Sequence, residues 1–263
     1  MMSDQPKQER QSAEGFSSNQ IELLSAWFCP FAQRAWIAME EKCSDKYKLT
    51  NAMEVADDEI SYVKIPELLK TNPNGMVPVV IDRRGSESII VYDSLICVEY
   101  IDECVGDSGK LLPGPASQRA RCRMWADFCT KKIVSPFYRL LMKKGKDERL
   151  KAADEILAGL RSFGDECRGP YFLGETFSFV DIALAPWFVG GRVRVLEHYR
   201  NFSIPKTAEY AKFYQWAEAV GKRRSFSATV CDEEKLIWSY KRYAEGTAKS
   251  QVGDAVRSGT TMP

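Results

Sequence analysis

The spacing of apolar residues changes at Cys29, from that of a strand to that of a helix. Residues 23–28 form a short apolar run that suits a buried strand. The residues that follow place four apolar side chains at helical spacing: Ala32, Ala35, Trp36 and Met39. Pro30 suits the first position of a helix, where its missing N–H costs nothing. A strand that leads directly into a helix predicts an α/β unit with Cys29 at the junction.

Cys29 is predicted to be the N-cap residue of that helix. Its sulfur would then face unpaired backbone N–H groups at the positive end of the helix dipole. Such a setting can lower a thiol pKa from about 8.5 by one unit or more. The sequence therefore predicts a thiolate that predominates at neutral pH. A purely structural cap is the alternative that this position alone leaves equally open.

Length and charge restrict the class of protein. A chain of 263 residues exceeds a typical single domain, so two domains with separate cores are expected. The formal net charge of +1 gives no reason to expect nucleic acid or an anionic membrane as a partner, and no apolar stretch is long enough to span a membrane. Residues 1–20 are polar and lack a signal sequence, which predicts a flexible N-terminal extension and a cytoplasmic location.

The cysteines and the single histidine indicate what kind of chemistry is available. The eight cysteines form no C-x-x-C pair, so we expect reduced thiols, seven of them acting as small buried apolar residues. His198 is the only histidine, which argues against zinc chemistry and against a Cys-His protease. No metal is expected, and Cys29 would depend on its backbone surroundings for activation.

Residues 21–104 alternate between strand and helix patterns. A strand near 47–53 and a short helix over 66–70 follow the Cys29 unit, which predicts a βαβ opening with parallel strands. Residues 77–81 and 88–92 flank a polar segment that contains glycine and predict an antiparallel hairpin.

The helix that completes this unit is predicted to begin at Asp93-Ser94. Residues 105–115 are rich in Gly, Pro and Ser and predict a linker. Residues 116–244 have helical periodicity throughout and predict an all-helical bundle domain. Residues 245–263 are small and polar, which predicts a disordered tail. The expected fold is thus a βαβ-ββα domain followed by an all-α domain.

Two local patterns are informative within the helical domain. Pro136 predicts a bend in one long helix. Ser178 and Asp181 have the spacing of a capping box, and residues 182–185 after them are all apolar. The helix that starts there is predicted to lie in the core.

Four motifs in this order resemble the glutathione transferase family, whose first domain is thioredoxin-like. They are the thiol after the first strand, Val77-Pro78 before the third strand, the acidic-Ser pair Asp93-Ser94, and the helical second domain. Within that family, the sequence Cys-Pro-Phe-Ala at 29–32 looks like the omega class.

The resemblance implies roles for individual residues. Cys29 would be the catalytic residue, and its sulfur would form a mixed disulfide with glutathione. Val77, before a cis Pro78, would pair its backbone with the cysteinyl part of glutathione. Asp93 would meet the γ-glutamyl ammonium group, and Ser94 would meet the γ-glutamyl carboxylate.

Phe31 and Lys64 complete the predicted glutathione site. Omega-class proteins typically carry a lysine directly before the proline of the second helix, where it meets the glycine carboxylate of glutathione. Here Ile65 precedes Pro66, and Lys64 is the substitute one residue earlier. Glutathione is the expected co-substrate.

A second-substrate pocket is expected between the two domains. Its predicted lining residues are Tyr138, Trp187, Trp238 and Tyr240. Core packing is the alternative for each of these aromatic side chains, and we favour it for Trp187.

The resemblance implies a glutathione-dependent thiol transferase that acts on a small disulfide, an S-conjugate or dehydroascorbate. Ala32 stands where a dithiol enzyme has its second cysteine, so Cys29 would act as a single thiol. Ordinary conjugation of electrophiles and non-catalytic ligand binding are the alternatives. A homodimer is also implied by the family.

Overall fold

The computed structural model describes residues 20–106 and 109–261, so the predicted N-terminal extension lies outside the described residues. The strands of the first domain are β1 (Ile21–Ser25), β2 (Lys48–Asn51), β3 (Met53–Val55), β4 (Tyr62–Lys64), β5 (Val79–Asp82) and β6 (Ile89–Tyr92). Its helices are α1 (Pro30–Cys43), α2 (Pro66–Thr71) and α3 (Ser94–Cys104).

Four of these strands form one mixed sheet in the order β2-β1-β5-β6. Strands β1 and β2 are parallel, with Leu23 opposite Leu49. Strand β5 runs antiparallel to β1, with Val80 opposite Leu23, and also antiparallel to β6. This topology confirms the predicted βαβ opening and the hairpin, and it makes the first domain a thioredoxin-like α/β unit.

The strand predicted near 47–53 is confirmed as β2, but it is shorter than predicted because the chain leaves the sheet edge at Ala52. The buried Ala52 donates its N–H to the Ser25 carbonyl at 2.7 Å and accepts from the Ile65 N–H at 3.1 Å. Strand β3 then pairs with β4 in a separate antiparallel hairpin. This hairpin, which sequence patterning missed, carries Tyr62 and Lys64.

The helices of the second domain are α4 (Ala116–Cys129), α5 (Ser135–Met142), α6 (Lys146–Glu166), α7 (Phe179–Phe188), α8 (Gly191–Arg200), α9 (Ala211–Gly221), α10 (Arg224–Ser227), α11 (Glu233–Ala244) and α12 (Gln251–Ser258). Helix α1 packs against α3 of its own domain and against α7 of the second domain, so a single apolar core crosses the domain boundary. No helix in the described part of the chain combines the length and apolarity that a membrane span requires.

In place of the bend predicted at Pro136, the structure has a π-helical segment over Thr130–Val134, just before the proline. Because Pro136 has no N–H, the carbonyl of Lys132 cannot receive the usual helical hydrogen bond. The chain widens instead, and the Ser135 N–H donates to the Thr130 carbonyl five residues back. The turn brings Thr130 toward the first domain.

The capping box predicted for α7 is confirmed. Asp181 accepts from the Ser178 N–H and hydroxyl at 2.8 and 2.7 Å, and it also accepts from the Phe172 N–H and the Trp216 indole N–H. Every residue of α7 is buried, as its apolar sequence predicts. The fully satisfied carboxylate fixes the start of this central helix.

The disorder predicted for residues 245–263 is wrong where α12 forms. Ser250 caps α12 by accepting from the Gly253 N–H at 3.0 Å, and the Lys249 N–H donates to the Ile60 carbonyl at 2.9 Å. The helix buries Ala255 and Val256 while packing on α5. We call residues 246–261 the C-terminal segment. Its few apolar residues all face inward, which overall composition did not reveal.

Candidate active site

A cavity of about 970 Å³ lies between the two domains, and the C-terminal segment forms part of its wall. Nine of the residues predicted for the two sites line this cavity: Cys29, Phe31, Lys64, Val77, Pro78, Asp93, Ser94, Tyr138 and Tyr240. These residues come from five different elements and from the turns beside them. The predicted glutathione residues and the predicted second-substrate tyrosines therefore share one space.

Cys29 stands at the start of α1, as the sequence predicts. Its backbone is extended, and its carbonyl accepts from the Gln33 N–H at 3.0 Å, which makes it the N-cap residue. Cys29 is partly exposed and lines the cavity, and the nearby backbone N–H groups of Phe31 and Ala32 favour its thiolate form. The thiol is thus accessible at the N-terminus of the helix.

The electrostatics of Cys29 differ from the prediction. Burial raises the pKa of the Cys29 thiol above its usual value, although the amides of Ala32 and Phe31 and the charges of Arg192 and Arg34 act in the opposite direction. Desolvation between two packed domains is the larger effect. Burial therefore outweighs the lowering of the thiol pKa that was predicted from the helix end.

The peptide bond between Val77 and Pro78 is cis, as the family resemblance implied. Pairing of β5 with β1 begins at Val79, so Val77 lies just before the ladder and borders the cavity. This position leaves its backbone beside the cavity and not within the sheet.

Asp93 and Ser94 line the cavity where α3 begins. The Asp93 carboxylate accepts from the Leu95 N–H at 3.2 Å. Asp93 has a φ of 75°, a strained conformation for a residue other than glycine and one that tends to occur at functional sites. Asp93, Ser94 and Leu95 all line the cavity, so the N-terminal end of α3 borders it.

Lys64 reaches the same space from the β3-β4 hairpin. Its ammonium nitrogen lies close to the turn at Gly75, where a Cβ atom would come within 3.0 Å of it. Gly75 has a φ of 57°, which favours glycine at this turn. Lys64 is thus a basic residue that lines the cavity beside the Gly75 turn.

Two of the four aromatic residues predicted for the second-substrate pocket lie elsewhere. Trp187 is fully buried and packs edge-on against Phe31, with ring centroids 4.9 Å apart. Trp238 is 42% exposed beside Glu59, because it lies two residues from Tyr240 and so on another face of α11. Trp187 therefore supports the cavity from behind, and Trp238 has no part in it.

The tyrosines form a hydrogen-bonded wall that the sequence only partly indicated. The Tyr62 and Tyr243 hydroxyls are 2.9 Å apart, and the Tyr243 hydroxyl donates to Ser250 Oγ at 3.0 Å. Burial raises the pKa of Tyr138 and of Tyr243 well above their usual values, so both remain protonated. This chain joins the β3-β4 hairpin, α11 and the C-terminal segment.

Sequence reasoning missed two arginines beside the site. Arg34, in α1, is 2% exposed and lines the cavity. Arg192, in α8, is 4% exposed and donates to the Phe28 carbonyl at 3.0 Å and to Gln33 Oε1 at 2.6 Å. Arg34 is the only charged residue between positions 30 and 39, a signal that could have marked it. Arg192 lies among other arginines and carries no such signal.

Known proteins share both halves of this architecture. The family model described as the glutathione S-transferase N-terminal domain matches residues 28–104, and the model of the glutathione S-transferase C-terminal domain matches residues 117–219. "Glutathione S-transferase U28" of Arabidopsis thaliana is 34% identical over 232 residues, which cover 84% of this chain and 93% of that protein. The chain belongs to the glutathione S-transferase family.

Solved structures from two classes of the family resemble the chain. Glutathione transferase Omega 3C from Trametes versicolor has a TM-score of 0.72 and 34% identity, and the match covers 86% of this chain and 90% of that one. A Tau class glutathione S-transferase from mango, Mangifera indica L., has a TM-score of 0.73 and 26% identity over 87% of this chain and all of that one. Overall similarity thus extends to both classes, and the chemistry of the site has to distinguish them.

Proposed function

We propose that this protein is a glutathione-dependent thiol transferase in which Cys29 forms a mixed disulfide with glutathione. The position of Cys29 carries the proposal. Cys29 is partly exposed at the N-terminus of α1, near the backbone N–H groups of Phe31 and Ala32, and it lines the same cavity as the other predicted glutathione residues. A helix N-terminus stabilises the thiolate that attacks and later leaves.

The reaction consists of two thiol exchanges. The Cys29 thiolate attacks the glutathionyl sulfur of a disulfide, R–S–SG; the S–S bond breaks, and the R–S⁻ group leaves and takes up a proton. The thiolate of a second glutathione molecule then attacks the Cys29-bound glutathionyl sulfur and releases Cys29. The sum is RSSG + GSH → RSH + GSSG. Position 32 is an alanine and carries no thiol, so no second cysteine at that position interrupts the cycle.

Glutathione would lie across the cavity from Lys64 to Ser94. The backbone of Val77 would pair with its cysteinyl unit, and this pairing brings the thiol toward Cys29. Asp93 would meet the ammonium group, Ser94 and the α3 amides the γ-glutamyl carboxylate, and Lys64 the glycine carboxylate. The tyrosine wall would then face the second substrate.

The test compares thiol transfer with conjugation in matched variants. Wild-type protein, Cys29→Ser and Cys104→Ser are incubated with glutathione disulfide and analysed by intact mass; Cys104 is exposed and lies outside the cavity lining. Turnover is measured with hydroxyethyl disulfide and with 1-chloro-2,4-dinitrobenzene. We expect a single glutathione adduct that only Cys29→Ser loses, with at least about a hundredfold loss of disulfide turnover.

Conjugation of electrophiles is the second function that the site could support. The Tyr138 and Tyr240 hydroxyls lie in the same cavity and close enough to act electrostatically on Cys29, and a phenol can donate a hydrogen bond to a glutathione thiolate. Conjugation that dominates in the wild type and survives Cys29→Ser would favour this function. An adduct at another cysteine would contradict the thiol-transfer proposal.

A further inference from the structure

Arg34 is a buried cation whose hydrogen bonds all go to neutral groups. Its Nε and Nη2 atoms donate to the Ala183 carbonyl at 3.0 and 2.7 Å. Nη1 donates to Ser94 Oγ at 3.2 Å, and Nη2 donates to Thr130 Oγ1 at 3.4 Å. The guanidinium also lies over the Trp187 ring, 4.6 Å from its centroid. These contacts fix Arg34 between α1, α3, α7 and the π-helical turn.

The charge of Arg34 is poorly compensated within the protein. No carboxylate of the described residues lies within ion-pair distance of it, and Asp93 acts on it only through space. Burial lowers the pKa of the guanidinium to about 10, which reflects the cost of holding this charge away from water. A buried cation at a cavity wall favours an anionic group on the ligand.

The direction of the Arg34–Ser94 hydrogen bond determines what Ser94 can do. A guanidinium has only donors, so the Ser94 oxygen must accept, and its own hydrogen is left for another partner. The Thr130 hydroxyl differs, because it already donates to the Ala126 carbonyl at 3.0 Å. Of the two hydroxyls that Arg34 touches, only that of Ser94 retains a hydrogen without an acceptor among the described residues.

We infer that Arg34 is a positioning residue that makes Ser94 a hydrogen-bond donor toward the γ-glutamyl carboxylate of glutathione. The guanidinium occupies the acceptor side of the hydroxyl and directs the O–H into the cavity beside the α3 amides. Its positive charge adds to that of the helix end. The carboxylate would then neutralise a charge that the protein leaves unpaired. This role rests on the proposed placement of glutathione at Ser94.

A double-mutant cycle with Ser94→Ala tests the role. Binding of S-methylglutathione, which cannot form a disulfide with Cys29, is measured by calorimetry for wild type, Ser94→Ala, Arg34→Met and the double variant. We expect each single change to raise Kd about tenfold, the size of one hydrogen bond to a charged group, and the double change to raise it about tenfold and not a hundredfold. Arg34→Lys replaces Arg34→Met in the cycle if the latter does not fold.

Each result separates the role of Arg34 from the proposed site. Additive effects of Arg34 and Ser94, or unchanged affinity in the Arg34 variants, would overturn the positioning role while leaving Ser94 in place. Unchanged affinity in Ser94→Ala would overturn the placement of glutathione, and the role of Arg34 with it. Arg200→Lys is the matched control, because Arg200 donates only to backbone carbonyls and lies outside the cavity lining; its Kd should equal that of the wild type.

Discussion

Arg192 donates a hydrogen bond to the carbonyl of Phe28, the residue directly before Cys29, at 3.0 Å. The two residues are 164 positions apart and belong to different domains. Because Arg192 also donates to Gln33 at the other end of the first turn of α1, it holds this turn from both sides. The helical domain thus sets the position of a sulfur that belongs to the other domain.

Replacement of Arg192 by leucine should therefore destabilise the protein. The change leaves buried acceptors at Phe28, Gln33 and Pro186 without their donor, so we expect the free energy of unfolding to fall by about 3 kcal/mol. Urea denaturation measures this loss. Arg194→Leu is the matched control, because Arg194 is exposed, and its stability should be nearly that of the wild type. Equal stability of the two variants would contradict the bridging role.

Alkylation of Cys29 should have an alkaline pH dependence. Since burial raises the pKa of this thiol, it keeps its proton to a higher pH than an exposed thiol, which titrates with a midpoint of about 8.5. The rate of carbamidomethylation by iodoacetamide, followed at Cys29 by peptide mass spectrometry, should rise with a midpoint above that value. The same cysteine in urea-unfolded protein provides the reference. A midpoint below the reference would show that the helix end outweighs desolvation.

Lys64→Met should weaken binding of the glycine carboxylate alone. We expect Kd for S-methylglutathione to rise about fivefold to tenfold, because the charged hydrogen bond between the Lys64 ammonium and the glycine carboxylate is lost. The matched ligand is S-methyl-γ-glutamylcysteine, which lacks the glycine unit, and its Kd should not change. Titration calorimetry with both ligands checks this. Equal losses for the two ligands would place Lys64 elsewhere in the site.

Removal of the C-terminal segment should open the cavity to bulky reagents. A chain that ends at Glu245 loses the wall formed by residues 249–252 and 259–261. We expect faster modification of Cys29 by a maleimide carried on a long polyether, and little change with iodoacetamide, which is small enough to enter the intact cavity. A chain that ends at Thr261 is the control and should behave as the full chain does. Equal acceleration of both reagents would indicate general loosening of the fold.

Local sequence patterns predicted those parts of the fold that depend on neighbours in the chain. The strand-to-helix change at Cys29 and the capping box at Ser178 were both visible and are both confirmed. The predicted site residues whose motifs the family resemblance supplied, from Val77 to Ser94, line one cavity in the structure. Each of these features is encoded within a few consecutive residues.

Features that depend on distant contacts were missed or wrong. Nothing near Arg34 in the chain shows that it meets Ala183, 149 residues later, because a lone arginine in a helix is usually solvated. The pKa of Cys29 was predicted from the helix end alone, whereas burial by the second domain decides its direction. Trp238 was assigned by residue type, although its position relative to Tyr240 turns it away from the cavity.

The C-terminal segment has a practical consequence for work with this protein. Gly259 and Thr260 belong to the cavity wall. An affinity tag or a fluorescent protein fused after residue 263 would therefore begin within a few residues of the site. Steady-state constants from such fusions would include the effect of the added polypeptide on substrate entry and product exit. Proteolytic removal of the tag would abolish that effect before any substrate survey.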